Sequence, residues 1–209
     1  MKIYWFETVN PRKVCSVAKH LGARVDYEHV DLRRRAHREA EFLGINPNGR
    51  VPALVDGDLR LWESAASCAY VAGGAGSDLW PAGDVRGQAE ILKAVSWHVA
   101  HMMPTFGPFY FEHYVKTLLG LGAPDEAKLD ALVPQAQAGA RVLDAMLDGR
   151  RFLACGRLTI ADFVMGALLP DWQAQGMPLG DCANVRRWLG ELEELPAFRD
   201  PWPTKPGVS

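Results

Sequence analysis

The chain has 209 residues, enough to bury a substantial core as one domain or as two small ones. An apolar fraction of 48% and a charged fraction of 23% are those of a soluble globular protein. A net charge of -2 argues against nucleic acid or an acidic membrane surface as partner, and no apolar run approaches membrane-spanning length.

In chain order, residues 2–6 predict a first strand. The strand begins at once, without the long apolar region of a signal peptide, so a cytoplasmic location is expected. Thr8-Val9-Asn10-Pro11 is a loop whose proline suits the first turn of a helix. Val14, Cys15, Val17, Ala18 and Leu21 then recur at helical spacing until Gly22. Residues 25–30 alternate as a second strand, which implies a parallel pair with a right-handed crossover. Residues 31–43 are charged and read as helix, with Arg33-Arg34-Arg35 on a solvated face.

The next stretch, residues 44–67, changes pattern several times. Asn46, Pro47, Asn48 and Gly49 are turn formers. Pro52 opens the apolar run Ala53-Leu54-Val55, Gly57-Asp58 supports a hairpin turn, and Leu59-Arg60-Leu61-Trp62 alternates back. At Glu63-Ser64 a helix begins. The proline forces Val51 into extended backbone, where a peptide ligand could pair with it. Helix-start N–H groups with the Ser64 hydroxyl suit a carboxylate, and Glu63 suits an ammonium group. Together these describe a receptor for a small zwitterionic peptide; the alternative is an ordinary hairpin followed by an ordinary cap.

The order is β-α-β-α-β-β-α, a thioredoxin-like α/β layer. Gly73-Gly74-Ala75-Gly76-Ser77 and the aperiodic residues 78–84 mark a boundary, giving one domain over 1–77 and a second, all-α bundle over 86–209. Within the latter, residues 85–103 predict a long helix stopped or kinked near Pro104. Residues 106–119 and 126–147 predict two more, the last bent or started late by Pro134. Thr159 and Asp162 form a capping box at the start of a buried central helix. Residues 184–192 and 196–199 are shorter helices, and the tail 201–206 is Pro-rich and irregular. Cys15, Cys68, Cys155 and Cys182 form neither a CxxC nor a zinc pair and read as reduced core thiols. His98, His101 and His113 lack the carboxylate-rich spacing of a metal site, so none is expected.

Four signals in this order, N-P-N-G-R-V-P-A-L-V-D, L-W-E-S, the domain boundary and L-T-I-A-D-F, resemble the cytosolic glutathione transferase superfamily over essentially the whole chain. The resemblance implies a cis Val51-Pro52 bond, with Val51 pairing with the cysteinyl backbone of glutathione. It implies that Arg12, Arg50, Val51, Pro52, Glu63 and Ser64 bind this co-substrate, Glu63 and Ser64 holding the γ-glutamyl end. The family's thiol-activating residue lies in the loop after the first strand, where the available groups are Thr8, Asn10 and Arg12. Tyr4 comes too early, and Ser16 lies inside the helix. The T-x-N spacing is similar to the bacterial Nu class, whose members act largely as glutathione-dependent disulfide reductases, although Pro11-Arg12 departs from that class. Lys13 and Arg33, Arg34 and Arg35 are candidates for the glycyl carboxylate.

The expected activity is transfer of glutathione to a small hydrophobic electrophile by a homodimer. The alternatives are disulfide or peroxide reduction, and a non-catalytic binding module. The electrophile pocket is expected to involve Trp5, Phe6, His98, Met102, Met103, Phe106 and Tyr110, although an aromatic or Met stripe at helical spacing is more often core.

Overall fold

The computed structural model describes residues 1–203; positions 204–206 of the Pro-rich tail lie outside the described residues. The chain divides into two compact units, Met1–Gly83 together with the segment from Leu195, and Asp84–Glu194.

The first unit is built on a four-stranded sheet of β1 (Lys2–Trp5), β2 (Asp26–His29), β3 (Ala53–Asp56) and β4 (Leu59–Trp62), in the order β2-β1-β3-β4. β1 and β2 are parallel, with Lys2 opposite Asp26, and α1 (Val9–His20) makes the crossover between them. β3 runs antiparallel to β1, Ile3 facing Leu54, and β4 closes the hairpin with Leu54 opposite Leu61. The period-2 alternation puts Ile3 and Trp5 inside while Lys2 and Tyr4 stay partly exposed.

Residues 31–43 do not form the single helix their composition predicts. They make a turn, a 3-10 turn over Ala36–Arg38 and the short α2 (Ala40–Leu43). The Asp31 carboxylate accepts the backbone N–H groups of Arg33 at 2.9 Å and Arg34 at 3.3 Å, a local turn that competes with helix. Arg35 then adopts φ 60°, and Glu39 is extended at ψ 148°, so helix restarts only at Ala40. α3 (Ser64–Gly74) packs against α1, whose Val14, Cys15, Val17 and Ala18 are fully buried. A β-α-β unit followed by a β-β-α unit is a thioredoxin-like arrangement.

The second unit is all helix. α4 (Val85–Trp97), α5 (Met103–Tyr110) and α6 (Lys116–Leu119) form one continuous ribbon joined by π-helical turns at His98–Met102 and Phe111–Val115. Of the stop or kink predicted near Pro104, the stop does not occur: the ribbon continues through it. The π turn just before it loosens the bonding ladder where a proline lacks its N–H and crowds the preceding turn. α7 (Glu126–Met146) runs through Pro134, starts at an Asp125 carboxylate that accepts the Lys128 N–H at 3.1 Å, and buries Leu129, Ala136, Ala140 and Leu143.

α8 (Ile160–Gly166) is buried at every residue. The Asp162 carboxylate accepts from the Thr159 N–H at 2.8 Å and its hydroxyl at 3.1 Å, completing the capping box. It also accepts from the Leu153 N–H and the Trp188 indole, both at 3.0 Å, so four donors meet one buried carboxyl group, whose pKa burial still raises. Asp144 accepts the Asn184 and Val185 N–H groups at the start of α9 (Ala183–Glu193). Among the described residues no helix is long and apolar enough to cross a membrane.

The chain then returns to the first unit, where α10 (Pro196–Arg199) packs on α1. Arg12 donates to the Phe198 carbonyl at 2.7 Å and sits over that residue's ring; Lys19 donates to the Asp200 carboxylate at 2.8 Å. Trp202 stacks on Trp5 with ring centroids 5.5 Å apart.

Candidate functional site

A cleft in the first unit is formed where three separate stretches converge: the first turn of α1, the loop leading into β3, and the start of α3. Asn10 comes from the first, Asn46, Asn48, Arg50, Val51 and Pro52 from the second, and Glu63 and Ser64 from the third.

The middle stretch is organised by Asn46, whose side chain is almost fully buried. Its Nδ2 donates to the Arg50 carbonyl at 2.6 Å, and its Oδ1 accepts from the backbone and side chain of Asn48 at 3.0 and 3.1 Å. Gly49, at φ +57°, completes the turn in a place no side chain fits: an added Cβ would lie 2.9 Å from the Arg38 guanidinium and 3.0 Å from the His37 carbonyl. The backbone of Arg50 is thereby fixed, and the Val51-Pro52 bond that follows is cis.

At the third stretch Glu63 adopts φ 71° and ψ 111°, a conformation costing of order 1–3 kcal/mol for a residue with a Cβ. Ser67 donates its hydroxyl to the Glu63 carbonyl at 3.3 Å, holding the bend. The bend leaves the Glu63 carboxylate exposed and makes Ser64 the first residue of α3, so its hydroxyl joins the unpaired N–H groups of that helix end. The cleft thus presents a cation (Arg50), an anion (Glu63) and a set of helix-start donors.

At the first stretch the Asn10 Oδ1 accepts from the Lys13 ammonium at 2.9 Å. Lys13 is buried on the face of α1 rather than free to reach a carboxylate in solvent. Burial pushes its pKa down to about 8, with the Glu63 carboxylate acting in the opposite direction. Thr8 caps α1 by backbone only: its carbonyl accepts the Arg12 N–H at 3.1 Å while its hydroxyl makes no capping bond. Thr8 and Arg12 are not among the cleft-lining residues, and the Arg12 guanidinium is engaged with Phe198. Arg33, Arg34 and Arg35 are exposed outside the cleft, Arg33 lying over the Phe6 ring. Asn46 and Asn48 are the lining residues that sequence reading took for mere turn formers; their only signal was an Asn pair straddling a proline just before a glycine.

Most of the aromatic and sulfur side chains considered for a second pocket are core. Trp5 and Phe6 are buried in the first unit. His98, Met102 and Phe106 are fully buried in the second, with His98 Nδ1 3.4 Å from the Met102 sulfur. Met103 and Tyr110 keep partial exposure, Tyr110 stacking on Tyr114. The four cysteines are unpaired, and burial pushes Cys15 and Cys68 up to about 12, so neither is a thiolate at neutral pH. Among the described residues no group of three or more His, Cys, Asp or Glu is placed to hold a metal ion.

A thioredoxin-like layer carrying such a cleft, continued by an all-helical unit, is the architecture of the glutathione transferases. A family profile described as "Glutathione S-transferase, N-terminal domain" matches residues 1–73. The chain is 34% identical over 197 residues to Glutathione S-transferase 3 of Zea mays, covering 91% of this chain and 87% of that protein. It is 32% identical to Glutathione S-transferase theta-2B of Homo sapiens, over 87% of this chain and 75% of that protein. A crystal structure of a glutathione transferase from Burkholderia graminis, with two glutathione molecules bound per subunit, superposes with a TM-score of 0.81 at 26% identity, covering 96% and 86% of the two chains. The chain belongs to the glutathione S-transferase family and is a glutathione transferase.

Proposed function

We propose that the cleft binds glutathione as co-substrate, stabilises its thiolate and directs it onto a small hydrophobic electrophile. The observation carrying this reading is the convergence of Asn10, Val51, Glu63 and Ser64 on one cleft from three separated stretches of chain. In this reading the backbone of Val51 pairs with the cysteinyl residue. Ser64 and the α3 N–H groups take the γ-glutamyl carboxylate, Glu63 takes its ammonium, and Arg50 takes the glycyl carboxylate. The glutathione found in the Burkholderia graminis relative supports the choice of ligand.

A free thiol has a pKa of about 8.5. Lowering it by two units needs about 2.7 kcal/mol of preference for the anion. The Asn10 amide and the N-terminal dipole of α1 are the groups that supply it. The thiolate then attacks the electrophile, the new carbon–sulfur bond forming as the leaving group departs with its electron pair.

The first unit binds glutathione and the helical unit Asp84–Glu194 walls the electrophile site. The enzyme acts in the cytoplasm as a homodimer; the exposed Val85, Leu92 and Val99, spaced by seven along the α4–α5 ribbon, support the dimer. The test is to assay conjugation of an aromatic halide beside reduction of a glutathione mixed disulfide. Conjugation dominates if this reading is right; reduction without conjugation assigns the cleft to the reductase chemistry instead.

A further inference from the structure

The contact between Lys13 and Asn10 has a chemical content that neither residue has alone. An ammonium group has three donors and no acceptor. When it lies 2.9 Å from a carboxamide, it must face the amide oxygen, never the NH2 group. Asn10 lines the cleft, and Lys13, three residues further along α1, is buried with 3% of its surface exposed. The buried ammonium therefore takes up the amide oxygen from the protein side. What Asn10 has left for the cleft is its pair of N–H donors.

We propose that Lys13 is a positioning residue: its ammonium fixes the Asn10 amide so that a bound thiolate meets hydrogen-bond donors and not a carbonyl oxygen. This rests on the reading of Asn10 as the thiol-activating group. Without Lys13 the amide is free to rotate by half a turn, and the flipped form sets an oxygen lone pair against the sulfur anion. Charge adds to the effect, because a cation on the oxygen polarises the amide and strengthens the N–H donors at its other end. The Cys68 thiol on α3 is itself neutral, and the Glu63 carboxylate is exposed at the cleft. The pKa of about 8 keeps Lys13 largely protonated at pH 7, the form the argument requires.

The experiment is a double-mutant cycle of Lys13→Met and Asn10→Ala, read by ultraviolet titration of the thiolate of bound glutathione. Methionine nearly matches lysine in volume, and thermal melts establish folding. In the otherwise native enzyme, Lys13→Met raises the bound thiol's pKa by roughly half to one unit, about a threefold to tenfold loss of thiolate below both values. The glutathione Kd moves little, and kcat near neutral pH falls in proportion. On the Asn10→Ala background the same substitution shifts nothing further, because the amide it orients is gone. Lys13→Arg, which keeps a cationic donor, recovers most of the thiolate and serves as the test should the methionine variant fold poorly.

An unshifted titration for folded Lys13→Met overturns the inference. An equal shift in both backgrounds also overturns it, since Lys13 would then act on the sulfur by charge alone. If Asn10→Ala itself leaves the titration unchanged, the activating role of Asn10 fails, and the positioning role of Lys13 fails with it.

Discussion

At the scale of single residues, the site divides by how local each role is. Glu63 and Ser64 are adjacent, and the role proposed for them follows from standing at a helix start, which the change of pattern from strand to helix marks. Val51 is marked by the proline after it. Asn46 is harder to see because its role is to hold a carbonyl four residues away, which no composition signals. Arg12 looked available for a ligand because its real partner, the carbonyl of Phe198, lies 186 positions along the chain. Lys13 is a candidate for the glycyl carboxylate in the sequence for the same reason: the face of α1 that α3 covers cannot be known until the two helices pack. The residue with the plainest expected effect is Ser64. If its hydroxyl binds the γ-glutamyl carboxylate, Ser64→Ala removes a charge-assisted hydrogen bond of about 1.5–3 kcal/mol. A tenfold to hundredfold rise in the glutathione Kd by calorimetry, with the melting temperature nearly unchanged, is expected; an unmoved Kd would remove Ser64 from the site.

At the scale of elements, strands and amphipathic helices were legible wherever the apolar period was regular, and misread where local side-chain bonds intervened. The Asp31 turn broke a predicted helix, and a π turn carried the chain through Pro104, where a stop or kink is predicted. The second π turn, Phe111–Val115, carries Glu112, a nearly buried carboxylate. It accepts from Lys116, from the Asp125 N–H at 3.0 Å and from Lys128 at 3.0 Å, tying the α4–α6 ribbon to the start of α7. These donors, Lys116 first, hold its pKa down to about 2 from an ordinary 4.5. With the folded value below the unfolded one, the stabilisation is fully present above pH 4.5 and is lost as pH falls toward 2. Denaturant midpoints measured across this window should fall more steeply with acid for the native enzyme than for Glu112→Gln. Parallel slopes would mean that the cluster contributes no pH-dependent stability.

At the scale of the whole molecule, the division into a sheet-bearing layer and a helical bundle could be read from the loss of strand patterning after residue 77. The return of the chain at Leu195 could not, because four residues of helix and a Trp between prolines carry no address. Yet the segment is firmly seated. Phe198 is fully buried, and Arg12, Lys19 and Trp5 each bind part of it. Phe198→Ala should therefore destabilise by about 3–5 kcal/mol, as for other large core truncations. At roughly 2–4 °C per kcal/mol for a chain of this size, the melting temperature drops by about ten degrees. A change of only one or two degrees would show that the segment rests on α1 without stabilising it.

The docking of that late segment onto an early helix also sets a schedule for synthesis. Everything from Met1 to Gly83 leaves the ribosome long before Leu195 does, and the whole Asp84–Glu194 unit is made in between. During that interval the α1 surface that Phe198 will cover is bare, and the cleft stands on a helix still missing one of its supports. Domains generally fold as units in the order they are made. Here the sheet-bearing unit is begun before the helical one and completed after it, and the nascent chain carries an exposed apolar seat until Phe198 arrives.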